Sequence, residues 1–145
     1  MTKVLLATDG SAHSVRAAQT LRKMAERDET IQVTVLHVAP LPDMTTPAAA
    51  GAPVPSPLMP DTYAQAQAER ALSVTLAALG LPAERARGAY VIGVPGEAIL
   101  TEAREGGYDL IVLGRRGLSP LKELFLGSVS QAVLHRAPCP VLIVP

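Results

Sequence analysis

Apolar and polar positions along this chain follow two different periods, and the switches between them mark its elements. Residues 3–8, KVLLAT, form an unbroken apolar run that stops at Asp9-Gly10-Ser11. Such a run, closed by turn residues, predicts a strand covered on both faces. Ser11 is placed to cap a helix. Val15, Ala18, Leu21 and Ala25 then recur at helical spacing, with Arg16, Arg22, Lys23, Glu26 and Arg27 on the outside. Residues 31–38, IQVTVLHV, alternate and are rich in β-branched side chains, which predicts a second strand. Residues 62–80 are alanine-rich, with Leu72, Leu76 and Leu79 on one side and Gly80 as a stop, and predict a long helix. A third strand is expected over 86–93. Pro95 sits where a first helical residue would, Glu97 suits a helix start, Ile99, Leu100 and Ala103 form an apolar side, and Gly106-Gly107 ends the helix. A fourth strand over 109–114, a short helix over 128–136 and a closing strand, VLIVP, complete the chain.

Short apolar strands that alternate with helices predict an α/β fold with a five-stranded parallel sheet and helices on both faces. Right-handed crossovers make it doubly wound, with expected order 3-2-1-4-5. Ligands in such sheets bind beyond the carboxyl ends of the strands, where the order reverses. Here that is between strands 1 and 4, so the loops at 8–11 and 114–127 matter most. Residues 39–61 differ in character: seven of these 23 are proline. Regular hydrogen-bonded structure is not expected there. The stretch reads as a mobile loop, either an inert insertion or a lid or partner arm beside the ligand mouth.

Length and charge narrow the classes. At 145 residues this is a single domain. Thirteen basic and thirteen acidic residues balance to zero net charge, without the basic excess of a general nucleic-acid or membrane-surface binder. The aliphatic runs at 110–113 and 141–144 are far too short to span a bilayer. One cysteine, Cys139, excludes a disulfide framework and multi-cysteine metal sites, and the scattered His13, His37 and His135 show no ligand spacing. A cytoplasmic location is expected. Cys139, held between Pro138 and Pro140, reads as structural rather than nucleophilic.

Candidate chemistry concentrates after strands 1 and 4. The second of these loops runs Gly114-Arg115-Arg116-Gly117, nine residues, then Gly127-Ser128-Val129-Ser130. It leaves a strand and enters a helix. Glycine permits close backbone approach to a phosphate and positive φ. The N–H groups of Ser128, Val129 and Ser130 point out of a helix start that favours an anion, and the two serines add hydroxyl donors. Arg116 is either a phosphate contact or a solvated surface arginine, and the glycines either cradle phosphate or turn the chain. Asp9 is either a ribose acceptor across the crevice or a turn residue. Val38 ends strand 2, where its backbone is placed to read an adenine edge.

Gly114-x-x-Gly117-x9-Gly127-Ser128 resembles the glycine signature of the ATP-binding branch of the universal stress protein family. LLATDGS near the start, GVPGEAIL at 93–100, DLIVLGRRG and the closing APCPVLIVP extend the resemblance over the whole chain. It implies a Rossmann-like fold of the adenine nucleotide alpha hydrolase type. It also implies ATP or a related adenine nucleotide, with Mg²⁺ bridging phosphate oxygens. By position it implies Ala7, Thr8 and Asp9 as first-loop contacts, with Asp9 on the ribose, and the Val38 backbone on adenine. Leu113, Gly114, Arg116 and Gly117 become the first half of the phosphate loop, and Gly127, Ser128, Val129 and Ser130 the second. Ala7 stands where the family often has proline, a change that keeps the backbone role. The resemblance further implies a homodimer in which the strands Val141–Val144 of two protomers meet. The apolar edge VLIVP is consistent with that, unless another part of the chain covers it.

Three functions compete on this reading. A nucleotide-dependent stress-response module works by occupancy rather than turnover, since no general base is evident near the phosphate loop. A stress protein without nucleotide acts through protein partners; the intact glycine pattern argues against it, and nothing in the sequence identifies a downstream partner. An enzyme or redox module needs residues that are missing: a carboxylate at the end of strand 3, aromatics for a flavin, or a Gly-x4-Gly-Lys-Ser/Thr loop.

Overall fold

The computed structural model describes residues 1–40, 62–115 and 126–145. Most of the proline-rich stretch expected to be a mobile loop, 41–61, lies outside the described residues, as do Arg116 and Gly117. The described elements are β1 (Thr2–Thr8), α1 (Ala12–Arg27), β2 (Ile31–Ala39), α2 (Thr62–Leu79), β3 (Ala86–Ile92), α3 (Pro95–Gly106), β4 (Leu110–Gly114), α4 (Ser128–Arg136) and β5 (Val141–Val144). They match the expected elements to within a residue at each end. The strands form one sheet in the order β3-β2-β1-β4-β5, every pair parallel.

Alternation within the strands divides the core in two. Val4, Leu6, Val33, Val35 and Val112 face α1 and α2, with Leu21 and Leu79 packed on them. Leu5, Leu36, Ile111 and Leu113 face the other way, onto Ile99, Leu100 and Val133 of α3 and α4. A sheet sandwiched in this way has almost no polar positions in its central strands.

Local sequence explains the helix ends. The Ser11 side chain accepts from the Ser14 N–H and caps α1. Pro95 occupies the start of α3, Glu97 lies in its first turn, and Gly107, at φ 61°, closes it in the left-handed conformation. Arg136, in the last turn of α4, forms an ion pair with Glu97 and ties the two helices.

α2 departs from its expected orientation. Its most buried line is Ala68, Ala71, Thr75 and Leu79, while Leu72 and Leu76 are half-buried beside it. Leu72 and Leu76 instead cover Gly88 of β3. Small side chains on the inner line let α2 approach the end of β1 closely. That contact is polar and buried. The Thr75 hydroxyl donates to the Ala71 carbonyl at 2.7 Å, so the Thr8 hydroxyl must donate to Thr75, at 2.6 Å, and it accepts from the Gly10 N–H at 3.0 Å.

Replacing Thr75 by Val keeps the volume but takes away the acceptor of the buried Thr8 hydroxyl. A buried donor without a partner costs about 1–3 kcal/mol. Chemical denaturation of Thr75→Val is expected to show a loss of that size. Glu26→Ala, which removes only the exposed Arg22–Glu26 pair, is expected to stay within about 0.5 kcal/mol of wild type.

Candidate functional site

β1 and β4 are neighbours, yet their chains leave in opposite directions, β1 into α1 on one face and β4 toward α4 on the other. The gap above them is a cavity of about 820 Å³. Ala7, Thr8, Asp9, Val38, Leu113, Gly114, Gly127, Ser128, Val129 and Ser130 all line it. The fold thus gathers every predicted site residue that lies among the described ones.

The turn after β1 shows how Asp9 is held. Its Oδ1 accepts from the Ser11 N–H at 2.9 Å and from the Ser14 hydroxyl at 2.8 Å. The Asp9 N–H donates in return to Ser14 Oγ at 3.2 Å. Oδ2 has no hydrogen-bond partner among the described residues. The two readings of Asp9 are therefore divided between its oxygens: one builds the turn, and the other has no donor among the described residues of the cavity that Asp9 lines. Gly10, at φ 78°, makes the turn possible, and a Cβ there would meet Ala71 of α2 at 3.2 Å.

The β4 side revises two expectations. Gly114 does not have positive φ. A Cβ on it would sit 2.8 Å from the backbone carbon of His13, so glycine is needed for close packing of β4 on α1. Ser130 does not offer its hydroxyl proton outward either: it donates to the Gly114 carbonyl at 3.0 Å and is buried. The same knot includes Arg115, whose N–H donates to Val144 at 2.7 Å and whose carbonyl accepts from Gly127 at 3.0 Å. Gly127 caps α4 with extended backbone, φ −62° and ψ 156°, and supplies no side-chain acceptor. The N–H groups of Ser128, Val129 and Ser130 find no acceptor among the described residues, and the Ser128 hydroxyl also lacks a partner there. This corner presents a cluster of unpaired donors, with positive helix potential behind it.

Sequence reasoning missed the third wall. Gln67, Arg70, Ala71 and Val74 of α2 line the cavity, together with His37, Pro95 and Ile99. The α2 residues lie three or four apart, a spacing that puts them on one face. Nothing in the sequence shows that this face meets β1. His37 is 8% exposed and its Nδ1 donates to the Thr8 carbonyl at 2.9 Å. Its sequence signal was a polar ring at the end of an apolar strand. Cys139 packs half-buried beneath α3 and α4, and burial, with the charge of Asp109, pushes its thiol above the ordinary range, which suits a structural role. A smaller cavity, about 280 Å³, lies at the opposite end of the sheet, where the cations Lys3 and Arg87 already donate to Gly106 and Thr34.

Gly10→Ala forces an L side chain into left-handed backbone and against α2. Gly107→Ala has the same backbone cost with open space around the new Cβ. The left-handed cost is about 1–2 kcal/mol. Thermal unfolding is expected to show Gly107→Ala within that range and Gly10→Ala beyond it. Equal losses would mean that α2 is not tightly seated on the β1 turn.

The sequence model described as the Universal stress protein family matches residues 1–145. A universal stress protein of Thermus aquaticus, from the 3′ region of a QAH/OAS sulfhydrylase, is 39% identical over 97% of this chain and 96% of its own length. Among solved structures, universal stress protein UspA from Lactobacillus plantarum superposes with a TM-score of 0.76 at 24% identity, covering 99% of this chain and 97% of that one. A universal stress protein in complex with cAMP superposes with a TM-score of 0.64 at 27% identity, covering 99% and 96%.

Proposed function

This chain belongs to the universal stress protein family, and on that premise we propose that it binds ATP or a related adenine nucleotide in the cavity above β1 and β4. The observation that carries the reading is the pairing of unmet needs across one crevice. Among the described residues, the α4 start holds three N–H donors without acceptors, and Asp9 holds an acceptor without a donor. A nucleotide offers phosphate oxygens to the first and ribose hydroxyls to the second. The cAMP complex of a relative supports an adenine nucleotide as the ligand class.

In this reading the Asp9 carboxylate binds the ribose, and the Ala7 and Thr8 backbone shapes the floor. The Val38 backbone reads the adenine edge, with Leu113 beneath. Gly114, Arg116 and Gly117 form the first half of the phosphate loop, and Gly127, Ser128, Val129 and Ser130 the second. Ser130 contributes its N–H, since its hydroxyl is committed to Gly114. Among the described residues no three His, Cys, Asp or Glu side chains are grouped to hold a metal. Mg²⁺ would be held by phosphate oxygens of the bound nucleotide and would neutralise their charge. The protein acts by occupancy, as a nucleotide-dependent regulatory module. It assembles as a homodimer through β5, whose outer edge has no strand partner among the described residues.

Two substitutions separate the ribose from the phosphates. Asp9→Asn can keep the Oδ1 bonds of the turn while replacing the free acceptor by a donor. Hydrogen bonds to charged groups contribute about 1.5–3 kcal/mol, so affinity is expected to fall roughly 10- to 150-fold. The loss should be equal for AMP, ADP and ATP, because all share the ribose. Gly127→Val places bulk beside the phosphates at a backbone conformation that valine tolerates. Its effect should grow with phosphate number and spare AMP. Calorimetric titration with Mg²⁺ present checks both. An Asp9→Asn protein with wild-type affinity would return Asp9 to a turn role alone.

Assembly has its own test. Ile143→Pro removes an N–H from the outer edge of β5, because the neighbouring positions Pro140 and Val144 already turn their carbonyls to β4, and Ile143→Lys puts a charge on its apolar surface. Light scattering is expected to show monomers for both. A dimer that survives both changes places the interface elsewhere.

A further inference from the structure

His37 holds an acceptor at the cavity that nothing in the described chain uses. Its Nδ1 lies 2.9 Å from the Thr8 carbonyl. A carbonyl can only accept, so Nδ1 carries the proton. In the neutral ring the lone pair is then on Nε2. No described residue donates to Nε2. The ring is held firmly: β2 sets His37 opposite Thr8 on one side and Tyr90 on the other. It stacks on Tyr90 with ring centroids 6.4 Å apart and planes 20° apart. It is 8% exposed and lines the cavity. A buried acceptor without a donor is costly, so such a group marks a place where a ligand completes the bonding.

We propose that His37 Nε2 accepts a hydrogen bond from the exocyclic 6-amino group of a purine, and so selects 6-amino over 6-oxo bases. The inference rests on the nucleotide reading and names the residue that chooses the base. His37 immediately precedes Val38, whose backbone meets the base in that reading. A fixed tautomer makes the choice directional. A 6-amino group brings the donor that Nε2 lacks, whereas a 6-oxo group sets two acceptors against each other and leaves both unpaired. Sites built to bond a ligand N–H reject analogues without it far more strongly than apolar pockets reject a missing methylene.

The test compares ATP, purine riboside triphosphate, in which hydrogen replaces the amine, and dATP. Two variants remove Nε2. His37→Phe keeps the ring and its stacking, and His37→Asn keeps an amide N–H within reach of the Thr8 carbonyl. Unfolding curves establish that each is folded. Wild type is expected to bind ATP about tenfold more tightly than purine riboside triphosphate. In both variants ATP and dATP should weaken together by about that factor, while purine riboside triphosphate is unchanged. A folded variant with the wild-type ratio of ATP to purine riboside triphosphate overturns the proposal. A change in the ratio of ATP to dATP also overturns it, because Nε2 would then face the ribose. Wild-type protein that binds none of the three overturns the nucleotide reading itself, and this inference with it.

Discussion

The site depends on one topological constraint: β1 and β4 lie side by side, but their chains must depart to opposite faces of the sheet. Right-handed crossovers allow no other route for this strand order. Two loops are thereby pushed apart, and the start of α4 and the turn before α1 face each other across the gap. A helix start cannot satisfy its own first N–H groups. With glycine as the cap of α4, no cap side chain satisfies them either. The crevice and its unpaired donors are consequences of the same geometry.

Around that crevice the protein uses its polar groups economically. Asp9 gives one oxygen to Ser11 and Ser14 and keeps the other free of the described residues. Ser130 gives its hydroxyl to the Gly114 carbonyl and keeps its N–H. His37 gives its Nδ1 proton to Thr8 and keeps the Nε2 lone pair. In each case one half of a bifunctional group fixes the position of the other half. Preorganisation of this kind lowers the entropy lost when a ligand binds.

α2 gives the third wall and ties it to the first. The chain of hydrogen bonds from the Gly10 N–H through Thr8 and Thr75 to the Ala71 carbonyl is buried, and it joins the β1 turn to the helix that carries Gln67, Arg70 and Val74. Ala68 and Ala71 permit this closeness, because larger side chains on that line would hold α2 away from Gly10. The same small residues that make α2 a good helix by propensity therefore also set the width of the cavity.

The sequence alone carried the fold. Apolar runs such as 3–8 and 109–114 and helical stripes such as Ala18, Leu21 and Ala25 depend on neighbours in the chain, so their periods are legible without coordinates. Turn chemistry at Asp9-Gly10-Ser11 and the glycine spacing from Gly114 to Gly127 were legible for the same reason, and they located two walls of the site. What each group does there was decided by partners distant in sequence. Gly114 is glycine because His13 lies against it. The proton of Ser130 is spent on a carbonyl 16 residues away. α2 turned its alanines inward rather than Leu72 and Leu76 because β1 and Gly88 occupy different sides of it. His37 became a fixed acceptor only because the parallel register sets it beside Thr8, 29 residues earlier. Periodicity is a property of the chain, whereas the direction of a hydrogen bond and the room for a Cβ belong to the packed molecule.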